Sequence, residues 1–200
     1  MLRFSSFITL LLLVSVPYGA QSRDMQLDGN ILLADFDAGG SDDFSSGNAL
    51  NLQYSYYLKS WLAADVGLLV SEKVLDGPNE DIVGTYRAGL QTNTLLLGVK
   101  PRYKFSSPYE IYGRIGLQVW RTELEIEEYF NDSTPEGRIV LDDTGTGYYF
   151  GLGGAHYVTD NVMVTLEVRQ LVQLDVFAGE SNYPFDLTIT ALSLGVGYRF

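Results

Sequence analysis

The chain has 200 residues, 46% of them hydrophobic and 19% charged, with 21 Gly, 14 Tyr, 10 Phe and no Cys. The lack of cysteine excludes a disulfide scaffold and thiol chemistry. A formal net charge of -12 excludes a nucleic-acid partner, because little here would neutralise phosphates.

The N-terminus reads as a targeting segment. Arg3 precedes the short apolar run Ile8 to Val16, and small residues follow around Ala20 and Ser22. This is the pattern of a secretory signal peptide, predicted over 1–22 with cleavage after Ser22 or Ala20. The mature chain, 23–200, then reads as one domain. No later stretch approaches the ~20 apolar residues of a membrane helix. Abundant Tyr and Gly point instead to a β protein with close backbone contacts.

Eight strands are predicted. The first lies near Leu27 to Phe36 and is not cleanly patterned. The second sets Leu50, Leu52, Tyr54, Tyr56 and Leu58 against Asn51, Gln53, Ser55 and Tyr57. In the third, Val66, Leu68 and Val70 oppose Asp65, Gly67 and Leu69. The fourth sets Leu95, Leu97, Val99 and Tyr103 against Gly98, Lys100, Arg102 and Lys104. In the fifth, Ile111, Ile115, Leu117 and Val119 oppose Glu110, Tyr112, Arg114, Gln118 and Trp120. A sixth strand, near Gly145 to Tyr157, is less regular. The seventh sets Val162, Val164, Leu166 and Val168 against Thr165, Glu167 and Arg169. The last puts Leu192, Leu194, Val196, Tyr198 and Phe200 opposite Ser193, Gly195, Gly197 and Arg199. Alternation of period two marks strands whose two faces meet different surroundings.

Short turns at Lys59-Ser60, Ser106 to Pro108 and Thr159 to Asn161 alternate with long connections at Asp37 to Ser46, Val74 to Gln91, Glu127 to Asp143 and Asp175 to Asp186. Short turns on one rim and long loops on the other are the layout of an outer-membrane barrel. Both ends of the mature chain then fall on the short-turn, periplasmic rim. The charged faces are rich in Gly and Ser, as a narrow eight-strand lumen requires. The greasy faces are therefore assigned to lipid. Tyr54, Tyr56, Tyr103, Tyr157, Tyr198 and Phe200 are assigned to interfacial girdles. The fold class is all-β: a closed, eight-stranded, antiparallel up-and-down transmembrane barrel.

The segments YEIYGRIGLQVWRTE (Tyr109 to Glu123), DTGTG (Asp143 to Gly147) leading to GLGGAHYVTDN, and the terminal LSLGVGYRF resemble, in order and spacing, the transmembrane domain of OmpA-type outer-membrane proteins. The resemblance covers essentially the whole mature chain. It implies insertion by the barrel-assembly machinery, which reads the last strand, here Leu194, Val196, Tyr198 and Phe200. It also implies that Asp65, Lys100 or Arg102, Arg114 and Glu167 occupy the lumen, where that family has an ion-pair network. Asp65 stands where that family usually has Glu and reaches less far. OmpA proper continues into a peptidoglycan-binding domain, and nothing here carries over a cell-wall tether.

Unpaired ions in a narrow interior cost several kcal/mol each, so Asp65 and Glu167 are expected to pair among Lys100, Arg102, Arg114 and Arg169. The pairs are expected to act as a static filler; the alternative is a gate in a small ion-conducting pore. Adjacent acidic pairs (Asp42 and Asp43, Glu80 and Asp81, Glu127 and Glu128, Asp142 and Asp143) lack the spacing of a calcium loop and read as solvated charge. His156, the sole histidine, sits at the periplasmic rim without an evident nucleophile. No enzyme activity, cofactor or metal is expected. Pro101 removes a ladder donor from a good strand, and a bulge is expected there. The expected role is an integral outer-membrane protein that displays four acidic loops. It would be surrounded by outer-membrane lipid and lipopolysaccharide, and would be monomeric. A soluble periplasmic, lipocalin-like binding barrel is the remaining alternative.

Overall fold

The computed structural model of the protein describes residues 25–38, 46–80, 84–105, 108–130, 135–179 and 185–200. The predicted signal peptide over 1–22 lies outside the described residues. The strands are β1 (Met25–Ala38), β2 (Gly47–Lys59), β3 (Leu62–Ser71), β4 (Val74–Glu80), β5 (Gly84–Lys104), β6 (Tyr109–Phe130), β7 (Pro135–Tyr157), β8 (Val162–Val176) and β9 (Phe185–Arg199).

Every pairing is antiparallel. β1 pairs with both β2 and β9, and β3 pairs with β5, so the sheet closes on itself. β4 also pairs with β5 and continues β3 after the break at Glu72 and Lys73. The result is a ring of eight strands, with one strand interrupted. Within the ring, closure leaves no sheet edge, so its backbone donors and acceptors are satisfied without water; the outer edges of β4 and of β7 before Gly147 lie beyond the ring.

The predicted faces hold. Along β2, exposed Leu50, Leu52, Tyr56 and Leu58 alternate with buried Asn51, Gln53, Ser55 and Tyr57. On β9, exposed Leu192, Leu194, Val196 and Tyr198 alternate with buried Ser193, Gly195 and Gly197. β1 is as regular: Leu27, Ile31 and Leu33 face outward, while Gln26, Asp28 and Asn30 face inward.

Four expectations are corrected. The segments Val74 to Gln91 and Glu127 to Asp143 are not mainly loop. β4, β5, β6 and β7 run through most of them as a sheet that extends the barrel wall beyond its neighbours. Pro101 causes no bulge: the β5–β6 register is the same at Val99↔Ile115 and Arg102↔Tyr112, and Gly113 leaves room opposite the ring. The irregularity falls instead between Tyr57 and Lys59. Tyr157 is no girdle residue, because it points inward and its hydroxyl donates to Glu110 at 2.8 Å. Lys104 has inward parity but emerges exposed at the rim, where its Nζ lies 4.7 Å from the centre of the Tyr157 ring.

The barrel interior is packed. In the half away from the chain ends, Leu32, Leu69, Leu96, Trp120, Tyr149, Leu171 and Ile189 form an apolar cluster. A turn after β8 closes it with Phe177, held at φ 59°. The Phe177 N–H donates to Asp143 at 2.6 Å. Interior glycines make space for this packing. A Cβ on Gly98 or Gly116 would collide with the backbone of the opposite strand and with the Tyr149 ring that lies across the pair.

Candidate functional site: the charged interior and the apolar belt

Two features are candidates for function: the ions inside the wall and the surface outside it. Parity places Asp28 (β1), Asp65 (β3), Lys100 (β5), Arg114 (β6), and Glu167 and Arg169 (β8) on the inner face, all buried. Arg114 is the hub. Its guanidinium reaches Asp28 at 2.7 Å, Asp65 at 3.1 Å, and Glu167. Each carboxylate has further donors. Asp28 accepts from Lys100 at 3.3 Å and from the Gln26 amide at 2.6 Å. Asp65 accepts from the Ser55 hydroxyl at 2.6 Å and from the Gln53 amide. Glu167 accepts from Arg169 Nε at 2.6 Å, and Arg169 also donates to Gln53 at 3.0 Å.

Three acids thus face three bases, and their charges cancel. That is the condition under which ions survive inside a low-dielectric wall. Tyr112 lies against the cluster, with Lys100 Nζ 4.5 Å and Arg114 Cζ 5.0 Å from its ring centre, a range in which aromatic faces attract cations.

Arg102 does not join this network. It pairs with Glu110 at 3.0 Å, donates to the Ser60 carbonyl at 2.8 Å and stacks on Tyr57 at 3.8 Å. This second cluster lies nearer the rim that carries the chain ends. The Tyr57 hydroxyl donates to Gln26 at 2.8 Å and links the two clusters. Of the six candidates, the structure brings together Asp65, Lys100, Arg114, Glu167 and Arg169, and sets Arg102 apart. Sequence reasoning missed Asp28 and Glu110. The alternation along Tyr109 to Trp120 puts Glu110 on the inner face but names no partner for it. Asp28 was legible from the alternation Gln26, Asp28, Asn30 against Leu27, Ile31, Leu33.

Lys100, Arg114 and Arg169 are 0–2% exposed, and so are Leu32, Leu96, Tyr149 and Leu171 in the apolar cluster. These side chains occupy the lumen at both levels, as in a small barrel filled by its own residues. The sole histidine is elsewhere. His156 is exposed on the outer face, and its ring lies 5.0 Å from that of Tyr109. It faces away from the interior carboxylates.

The outer surface is the inverse of a soluble protein's. Around the ring runs a belt whose outward positions are Leu, Ile, Val, Ala, Gly, Pro and aromatic residues, with His156 at one margin. It comprises 27–33 on β1, 50–58 on β2, 62–70 on β3, 95–103 on β5, 109–119 on β6, 148–156 on β7, 162–168 on β8 and 192–200 at the end of the chain. None of these outward positions is Asp, Glu, Lys or Arg. The belt stops at Asp35, Asn48, Asn93, Arg121, Gln170 and Thr190. Its stretch from Leu192 to Phe200 matches the roughly 9–11 residues with which a tilted strand crosses a bilayer. Trp61, Tyr103, Tyr109, Tyr198 and Phe200 gather at the margin near the chain ends and are exposed, as interfacial aromatics are.

A closed antiparallel barrel with ions enclosed and an unbroken oily belt outside is a membrane-spanning β-barrel. The chain belongs to the outer membrane protein beta-barrel domain family, whose profile matches residues 6–200. No curated protein sequence matches it. Solved structures share its fold. Neisserial surface protein A aligns with a TM-score of 0.61 at 13% identity, covering 90% of this chain and 99% of that one. OprG of Pseudomonas aeruginosa aligns at 0.56 and 13%, covering 90% and 97%. Ail, the attachment invasion locus protein of Yersinia pestis, aligns at 0.54 and 12%, covering 90% and 100%.

Proposed function

We propose that the protein is a monomeric, non-enzymatic architectural element of the outer membrane, one that holds a strand-built acidic surface outside the cell on a filled barrel. The observation that carries this reading is the uncharged outer belt, with its aromatic margin beside the chain ends and its polar margin at the opposite edge. The three tight turns and both described chain ends then lie in the periplasm. The extensions of β4 to β7 face outward, with Glu123, Glu125, Glu127, Glu128, Asp142 and Asp143 among their residues.

Lipid and lipopolysaccharide surround the belt in this reading. The barrel-assembly machinery inserts the chain through its last strand, with Leu194, Val196, Tyr198 and Phe200 facing lipid. The ion network acts as filler and strut rather than gate, which the packed interior favours. Two experiments test this. Protease added to intact cells should cut beyond the polar margin and leave the tight turns whole; cleavage at the tight turns instead would invert the topology. Planar-bilayer recording should show no steady conductance, and none after Asp65→Ala; discrete openings would assign the interior a pore role.

A further inference from the structure

We infer that the periplasmic mouth of the barrel carries a binding site for the headgroup of an anionic glycerophospholipid from the inner leaflet. The inference rests on the orientation proposed above. A cavity of about 400 Å³ lies at this rim, lined by Ser60, Trp61, Arg102, Tyr103, Lys104 and Arg199. It straddles the wall. Arg102, Lys104 and Arg199 come from the inner face of β5 and β9, whereas Tyr103 faces outward, and it and Trp61, in the turn before β3, are exposed.

The chemistry of the lining is selective. Three cationic side chains meet in a protein whose net charge is -12. Arg102 is held in place by Glu110 at 3.0 Å and by the Ser60 carbonyl. Arg102 and Arg199 both stack on Tyr57, with their Cζ atoms 3.8 and 4.9 Å from its ring centre. Lys104 is exposed over Tyr157. Asp160, in the turn before β8, is another acid at this rim. It does not line the cavity. A phosphodiester fits such a lining through charge-assisted N–H donors. Trp61 and Tyr103 set the cavity at headgroup depth, where amphipathic rings settle, so the acyl chains of the same molecule can run down the adjoining oily belt. A free phosphate would use only half of this arrangement.

The test uses the whole mature barrel, refolded in a neutral detergent and titrated with phosphatidylglycerol, phosphatidylcholine or soluble glycerol phosphate. Retained lipid is counted by native mass spectrometry. Phosphatidylglycerol should be retained about tenfold more strongly than phosphatidylcholine, since each Lys or Arg near a membrane surface adds attraction of roughly a few-fold. Lys104→Gln combined with Arg199→Gln should abolish the preference, and Lys104→Arg should keep it. Heat-modifiable gel migration reports folding separately, so a variant that does not fold is recognised, and the salt dependence of retention by the unmodified barrel then decides. Equal retention of the two lipids, or a preference that survives the double substitution or 0.5 M salt (roughly a sevenfold shorter screening length than at about 0.01 M), overturns the inference. Competition by glycerol phosphate at equal concentration reassigns the cavity to free anions and overturns it too. Failure of the barrel to fold in any detergent would instead strike at the membrane reading itself.

Discussion

Arg114→Met tests the balance of the interior. Arg114 touches Asp28, Asp65 and Glu167, and with Lys100 and Arg169 it matches three acids with three bases. Methionine fills a similar space without charge and leaves three acids facing two bases. Breaking a buried pair on one side costs about 3–5 kcal/mol, and the substitution should destabilise the barrel by that amount. Adding Asp28→Asn restores equality, with Asp65 and Glu167 against Lys100 and Arg169, and should return about 1–2 kcal/mol, a coupling of the size that touching residues show. Urea unfolding in phospholipid vesicles, followed by heat-modifiable migration and tryptophan fluorescence, measures both steps. Trp120 reports the interior and Trp61 the rim. If Arg114→Met stays within about 0.5 kcal/mol of the parent, or if Asp28→Asn worsens it further, the charge-cancellation argument is wrong.

Four further outcomes are expected. Leu117 is 70% exposed in the middle of the belt, so Leu117→Arg should cost about 2–4 kcal/mol in vesicles; a neutral effect would mean that water meets this face. Gly116→Ala forces a methyl into the Leu97 carbonyl and the Tyr149 ring, and should cost about 1–3 kcal/mol in the same assay. Phe177→Ala opens a hole at the end of the apolar cluster and should cost about 3–5 kcal/mol, with loss of near-ultraviolet circular dichroism; an unchanged midpoint would show that the cluster does not need this cap. Glu125 lies beyond the belt, bonded to Arg138 at 2.6 Å and to Lys73. The hydrogen bonds from these two bases hold its carboxyl down to about 2, from an ordinary 4.5. Because the folded value is the lower one, its contribution to stability is complete above about 4.5 and fades as pH falls through about 2. Arg138→Gln should raise the titration midpoint seen by carboxyl NMR; an unmoved midpoint would contradict the assignment.

The belt was legible because lipid and the packed interior impose opposite demands on successive side chains. Leu50 through Leu58 and Leu192 through Phe200 therefore alternate without a break. The extension of β4 to β7 was harder to see, since the outer face there meets water and no longer selects oily residues. A weaker signal existed in Glu123, Leu124, Glu125, Ile126 and Glu127, where apolar residues still alternate inward. The bonding partners of the interior ions were not legible. Parity fixes which side chains enter the lumen, but height and stagger around the ring decide which of them meet. Arg102 and Arg114 share a face, yet they stand at different levels and take different acids. Tyr157 was misassigned for a related reason: an aromatic residue at a strand end can serve a girdle or cap the lumen, and only its parity, opposite to that of His156, separates the two.

The inverted surface is tested most directly by site-directed spin labelling, for which a chain without cysteine needs no background substitution. Labels at Leu117→Cys, Leu152→Cys and Leu194→Cys, in vesicles, should be relaxed strongly by oxygen and hardly at all by a water-soluble nickel chelate. A label at Gln118→Cys, one position from Leu117, should be reached poorly by both. Ready access of the nickel chelate to the three leucine sites would place them in water and contradict the membrane-spanning account.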